Sequence, residues 1–168
     1  RILDCTFNIK DGLKKRLDDL RSEAEVSVRE GGKHLILSDK EINEKKSAIP
    51  MALAIGAINS RLVDMGLRGF ASINVQTSEV LDTHSFAVLL GVGATSINPY
   101  MAQQAIADRH QKGLFKNLSY EECVGRYINA VKNGILKIMS KMGISVVSSY
   151  RGGCNFEAVG LSRSLMTE

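Results

Sequence analysis

Short apolar or β-branched runs alternate with longer stretches of helical spacing along this chain, and a glycine closes nearly every helical stretch. No other feature restricts the fold as much. Strand and helix in regular succession, with short loops, imply parallel strands joined by right-handed crossovers. A first strand is expected within Arg1 to Phe7. Ile9, Leu13, Leu17, Leu20, Ala24 and Val28 then recur at spacings of three and four, the pattern of a helix with one buried face, and Gly31-Gly32 stops it. His34 to Leu37 reads as a buried strand. A second helix is expected from about Ser47 to Met65, with Ser47 as N-cap, Pro50 in the first turn and Gly66 at the end. Phe70 to Val75 supplies a third strand. Asp82 caps a third helix through Leu90, Gly91 and Gly93 close it, and Thr95 to Ile97 is a short fourth strand. Tyr100 to about His110 is helical behind Pro99, and the polar stretch Gln111 to Leu118 is expected to be a mobile loop.

The clearest helix start is the capping box Ser119-x-x-Glu122, in which each side chain satisfies a free backbone N–H of the first turn. From there Val124, Ile128, Val131, Ile135, Ile138 and Met142 keep helical spacing as far as Gly143, so one continuous helix is expected to bury that face. Ile144 to Ser148 is expected to be a fifth strand. About five βα units make either an open sheet or part of a barrel, because a closed eight-unit barrel takes about 250 residues. The chain has 168. The expected fold is therefore α/β with mainly parallel strands, an incomplete TIM-barrel-like or open sheet, in a single domain over residues 1–168.

Composition narrows the partners. The 44% hydrophobic and 24% charged content is that of a globular protein. A net charge of +4 with Lys and Arg scattered among Asp and Glu, and only 5% aromatic residues, gives no footprint for nucleic acid. The longest uncharged apolar run, Ala48 to Ile58, is 11 residues and too short to span a bilayer. The chain opens on Arg1 without an initiator Met and passes at once into Ile2-Leu3, which leads to the expectation that it is one part of a longer polypeptide. Cys5, Cys123 and Cys154 match neither a disulfide framework nor a metal pattern, and read as buried thiols in a reducing, cytoplasmic setting.

Ligands of parallel α/β folds gather at the C-terminal strand ends, which here are Ser38-Asp39, Gln76 to Glu79, Asn98 to Tyr100 and Ser148 to Gly153. These residues either form a polar pocket for a small anion or serve only as helix caps and turns. GVGATS, Gly91 to Ser96, lacks the spacing of a phosphate loop and reads as a helix end. Ser149, Tyr150, Arg151, Gly152 and Gly153 are the better candidates. Their glycines permit close approach and Arg151 can clamp a carboxylate or phosphate, or else contact another domain. His34, His84 and His110 have no carboxylate or Cys at motif spacing, and Glu157 reads as an ion-pair anchor. No residue is assigned a catalytic, cofactor-binding or metal role.

Four ordered blocks carry a resemblance. GILKIMSKMGISVVSSYRGGCNFEAVGL (Gly134 to Leu161), LILSDK (Leu35 to Lys40), IPMALAIGAINSRL (Ile49 to Leu62) and HSFAVLLGVGATSINPYMA (His84 to Ala102) resemble the C-terminal part of the central domain of the glutamate synthase large subunit. Asn59 and Ser60 stand where that family often has histidines, only His84 remains of a frequent His pair, Val92 replaces Tyr, and Gly153-Cys154-Asn155 replaces a usual triplet. The resemblance implies a non-catalytic connecting domain. Its neighbours would be a glutamine amidotransferase domain and a flavin-binding synthase domain, and it would help shape the ammonia path to 2-oxoglutarate. The parent enzyme is implied to use FMN and an iron–sulfur cluster, neither of them in this chain. Residues 156–168 would form the junction towards the flavin-binding domain. Phe156, Ala158, Val159 and Leu161 are expected to be poorly ordered there or to pack on a neighbouring molecule, with self-association of the isolated chain as one consequence. The residues alone also admit a stand-alone anion-binding domain or enzyme built on Arg151.

Overall fold

The structure, a computed structural model, describes residues 1–153 and 155–162. Its strands are β1 (Ile2–Asp4), β2 (Thr6–Asn8), β3 (His34–Ser38), β4 (Lys46–Ala48), β5 (Ser72–Gln76) and β6 (Ser96–Asn98). Its helices are α1 (Leu13–Arg29), α2 (Met51–Asp64), α3 (Thr83–Gly91), α4 (Tyr100–Gln111), α5 (Tyr120–Lys141) and α6 (Val147–Tyr150). β1, β3, β5 and β6 lie side by side in chain order and all run parallel, with α1, α2 and α3 in the crossovers. Consecutive order is the wall of a barrel, not a doubly wound sheet, whose order reverses at a switch point. The expected α/β class with mainly parallel strands is what the chain forms.

Register separates the sheet into a buried apolar side and a more exposed, mixed side. Leu3, Leu37 and Val75 are cross-strand neighbours, as are Leu35 and Ile73, and all are buried against Leu17, Leu20, Ile55, Ile58 and Leu62 of α1 and α2. The other face carries Ile2, Ile36, Asn74 and Ser96 in one row. There Ser96 Oγ donates to Asn74 Oδ1 (2.7 Å), Asn74 Nδ2 donates to Ser72 Oγ (3.1 Å), and His34 Nδ1 lies 2.8 Å from the same hydroxyl.

Two departures from the sequence reading have local causes. The first strand is split, because Asp4 Oδ1 accepts from both the backbone N–H (2.9 Å) and the hydroxyl (2.7 Å) of Thr6 and bends the chain out of the sheet. The released segment β2 then pairs antiparallel with β4. Ser47 therefore sits in β4 and caps nothing; α2 begins behind Pro50, and its first N–H is taken by Glu79 from far along the chain.

The expected fifth strand, Ile144 to Ser148, does not form. Gly143 (φ 71°) ends α5, Ile144 N–H bonds back to Met139 O (2.9 Å), and the chain winds into the single turn α6. The β-branched Val146 and Val147 stay exposed while Tyr150 is fully buried. Strand propensity acts only where a neighbouring strand is in reach; at this point the chain instead follows its aromatic anchor into a cluster with Ala87, Leu90 and Met139.

The capping box forms as expected: Ser119 Oγ accepts from Glu122 N–H (3.2 Å) and Glu122 Oε2 from Ser119 N–H (2.8 Å). Continuity of the helix is likewise as expected, but its buried stripe is rotated. Cys123, Val131 and Met139 are buried, Val124, Ile135 and Ile138 half-buried, and Ile128 and Met142 exposed. The cause is Gly134. It lies so close to Thr83 of α3 that a Cβ would collide with that side chain, which fixes which edge of α5 faces the core. Phe156 also departs from the expectation of disorder or an intermolecular contact. It packs in this chain's own core beside Tyr150, whereas Ala158, Val159 and Leu161 are exposed; residues 163–168 lie outside the described residues.

A Cβ at Gly91 would collide with the edge of the Phe156 ring. Gly91→Ala should therefore lower stability by about 1–3 kcal/mol, the usual cost of overpacking, measured by urea unfolding. A variant as stable as the parent would mean that Phe156 does not occupy this contact.

Candidate functional site

At the C-terminal edge of the sheet the strand-end residues knit to one another. β3 ends at Ser38, and the next side chain, Asp39, is fully buried. Its Oδ2 accepts from Thr77 Oγ1 (2.8 Å), Ser78 N–H (2.8 Å) and Ser78 Oγ (3.0 Å), all in the turn after β5. Its Oδ1 accepts from Tyr100 OH (2.9 Å), at the start of α4 behind β6. Ser38 Oγ donates to Gln76 Oε1 (3.1 Å), and Lys40 Nζ lies 5.2 Å from the Tyr100 ring centroid. One carboxylate thus ties together three consecutive strand ends. Burial, followed by its bond to Asp39, pushes the Tyr100 phenol above its ordinary pKa.

Two further carboxylates flank this hub. Burial tends to raise the Asp4 carboxyl, but the bonds from Thr6 and from Lys46 Nζ (3.1 Å) outweigh it and hold Asp4 below its ordinary value. Glu79, although much of its side chain is exposed, turns Oε2 onto Met51 N–H (2.9 Å) beside a cavity of about 210 Å³ lined also by Ala52, Val80, His84 and Leu89. Burial of the carboxyl, with a smaller contribution from Asp39, raises its pKa.

Around Asp39 the donors of this edge are already committed. A phosphate-bearing cofactor needs free N–H and hydroxyl donors at the strand ends, and here the N–H and hydroxyl of Ser78 and the hydroxyl of Thr77 already point at Asp39. Cys5 is equally unsuited to nucleophilic work, since burial pushes its thiol up to about 12. Cys5 and Cys123 are buried free thiols, as expected; Cys154 lies outside the described residues.

Ser149 to Gly153 are not part of this edge. Gly152 N–H bonds to Leu90 O (3.3 Å) at the C-terminal end of α3, which places the segment at the opposite pole, where the strands begin. Arg68 is there too. Its Nε donates to Asn59 Oδ1 (2.7 Å), its two terminal nitrogens to Ala71 O (2.7 Å) and Gly93 O (2.9 Å), and its charge senses Arg151. Glu157 is exposed and enters no ion pair among the described residues. Sequence reading named Ser38-Asp39, Gln76 to Glu79 and Asn98 to Tyr100 as strand ends, and the structure brings those three together. It missed Arg68, which no motif marks, and noted Asn59 only as a departure from the family pattern, without its partner.

The architecture is that of a partial α/β barrel. A flavocytochrome b2 with sulfite bound shares it, with a TM-score of 0.58 over 88% of this chain and 37% of that one, at 12% identity. Residues 1–162 match the model of the glutamate synthase central domain, and the chain belongs to that family. The NADPH glutamate synthase large chain of Azospirillum brasilense is 52% identical over 99% of this chain, and the chloroplastic ferredoxin-dependent glutamate synthase of Spinacia oleracea 38% identical over 99%. The chain spans 11% of the length of each.

Removing the hub should be costly. Asp39→Ala strands three buried or half-buried hydroxyls and should destabilise by about 2–5 kcal/mol, and Tyr100→Phe by about 1.5–3 kcal/mol, by denaturant unfolding. Equal stability for Asp39→Ala would show the network to be incidental.

The two flanking carboxylates have opposite signs. Folding lowers the Asp4 pKa, so its contribution is present above the ordinary Asp value and lost as pH falls through the folded value. Folding raises the Glu79 pKa, so its contribution is present in acid and lost as pH rises through the folded value. Glu79→Gln keeps an acceptor for Met51 N–H. It should therefore be more stable than the parent near neutral pH, with the difference vanishing below the ordinary Glu range, about pH 4. The reverse pH trend in paired urea titrations would overturn this assignment.

Proposed function

We propose that this chain is the connecting, non-catalytic central domain of a glutamate synthase. It joins an amidotransferase domain to a flavin-binding synthase domain in the cytoplasm and shapes the path of ammonia between them. One observation carries the reading: the strand-end pole, where a barrel-type α/β fold holds its ligand, is filled by the domain's own side chains around Asp39. Family membership supplies the setting, since relatives of this sequence are named as glutamate synthases of several electron-donor types. Among the described residues no helix is long and apolar enough to cross a membrane. The exposed Val159 and Leu161 suit a junction over residues 156–168, where the next domain would cover them.

The isolated chain should bind neither FMN nor an iron–sulfur cluster, and should make no glutamate. Titration with FMN, followed by absorbance and fluorescence, should be flat. Stoichiometric binding at micromolar or tighter affinity would overturn the connecting role. In the full-length enzyme, substitution of Asp39 by Ala should release free ammonia in excess of the glutamate formed by the synthase half. Unchanged coupling of glutamine hydrolysis to synthesis would remove the ammonia path from the proposal.

A further inference from the structure

The pole opposite Asp39, where the strands begin, carries a groove of about 420 Å³ lined by Val28, Arg29, Gly31, Gly32, Lys33, Leu67 and Phe70. Phe70 is 70% exposed on its rim, an unusual position for a Phe in a chain with so few aromatics. Charge at this pole is unbalanced. Glu25 is held between Arg29 (2.8 Å) and Arg61 (2.7 Å), and Glu30 lies 3.9 Å from Arg1. Lys33, Arg68 and Arg151 have no carboxylate partner among the described residues. Arg68 is satisfied only by neutral oxygens, and burial with the nearby Arg151 charge lowers its pKa. Asp108 in the last turn of α4 pairs with Lys112 (2.7 Å), while Asp64 at the end of α2 and Glu157 beside Phe156 are exposed and enter no ion pair among the described residues. These cations are far apart in sequence, which is why no basic stripe is visible there.

We infer that this pole is a docking surface for an acidic segment of a neighbouring domain of the same polypeptide, with one apolar side chain entering the groove beside Phe70 and carboxylates meeting Lys33 and Arg151. The chemistry rests on charge complementarity, because a groove with apolar walls, with the unpaired Lys33 in its lining and the further cations Arg68 and Arg151 at the same pole, favours an apolar anchor flanked by carboxylates. Location within the same polypeptide rests on the reading of the chain as a glutamate synthase domain, whose relatives extend far beyond the 11% it spans.

The test is zero-length carbodiimide coupling of lysine amines to carboxylates in the full-length enzyme, read by mass spectrometry. Lys33 should couple to Asp or Glu of another domain of the same chain. Coupling only within this domain, only to a separate subunit, or not at all would overturn the inference. A second arm uses the 168-residue chain and a fluorescein-labelled peptide of alternating Glu and Leu. Binding should weaken as salt rises, and fall about tenfold or more in Lys33→Glu and in Phe70→Ser, with unchanged circular dichroism. Binding indifferent to Phe70→Ser, or tighter binding of a single-stranded oligonucleotide than of the peptide, would overturn it. Both arms are independent of FMN binding and ammonia coupling, so a failure here is distinguishable from failure of the connecting role.

Discussion

A single buried carboxylate fixes the geometry of the strand-end pole. Asp39 is fully removed from solvent and makes its bonds with hydroxyl and amide donors, with no cationic partner among the described residues. A buried charge is tolerable only when its lone pairs are met, so once the chain places Asp39 there, the turn after β5 and the start of α4 have one arrangement that satisfies it. Three βα units are locked in register at their ends, where short strands of three to five residues would hold each other weakly. The same bonds take up the hydroxyls of Thr77, Ser78 and Tyr100 and the N–H of Ser78, donors that could otherwise meet an anion. Stability and closure are therefore one property of this pole.

The apolar scaffold was legible in the sequence because it obeys period. Leu17, Leu20, Ala24 and Val28 of α1 are buried as their spacing requires, and Ser119 with Glu122 starts α5 by a purely local exchange of bonds. What could not be read depends on distance. Ser47 looks like an N-cap, yet the N-terminus of α2 is served by Glu79, which no local pattern connects to Met51. Val146 and Val147 look like a strand, yet they pair with none, and the chain turns through α6 to bury Tyr150 instead. On α5 the stripe was right in period and wrong in phase, because phase is set by the close approach of Gly134 to Thr83, and a glycine carries no hydrophobic signal.

The candidate site divides in the same way. Asp39, Gln76 to Glu79 and Tyr100 are recognisable as strand ends from topology alone, but their mutual pairing is tertiary. Arg151 was singled out for its glycine-rich surroundings on the premise of a preceding strand. With that strand absent, it belongs to the opposite pole, and its neighbour there is another arginine. The residue keeps its interest while the reason for it changes from an anion turn at a strand end to part of a basic surface.

Arg68 shows how that surface stays charged without unfolding the domain. Its guanidinium reaches across from the turn after α2 to the loop after α3, bonding to Asn59, Ala71 and Gly93. Gly93 sits at φ 126°, and a Cβ there would strike the Asn59 side chain, so the approach that lets the carbonyl of Gly93 meet Arg68 needs both the glycine and the small amide. Asn59 stands where the resembled family often carries histidine, and in this chain it serves as a neutral acceptor. A carboxylate in its place would neutralise Arg68 and remove one of the unpaired cations. By satisfying the guanidinium with neutral oxygens alone, the fold uses Arg68 as a structural tie between two loops and still leaves its positive charge facing the pole.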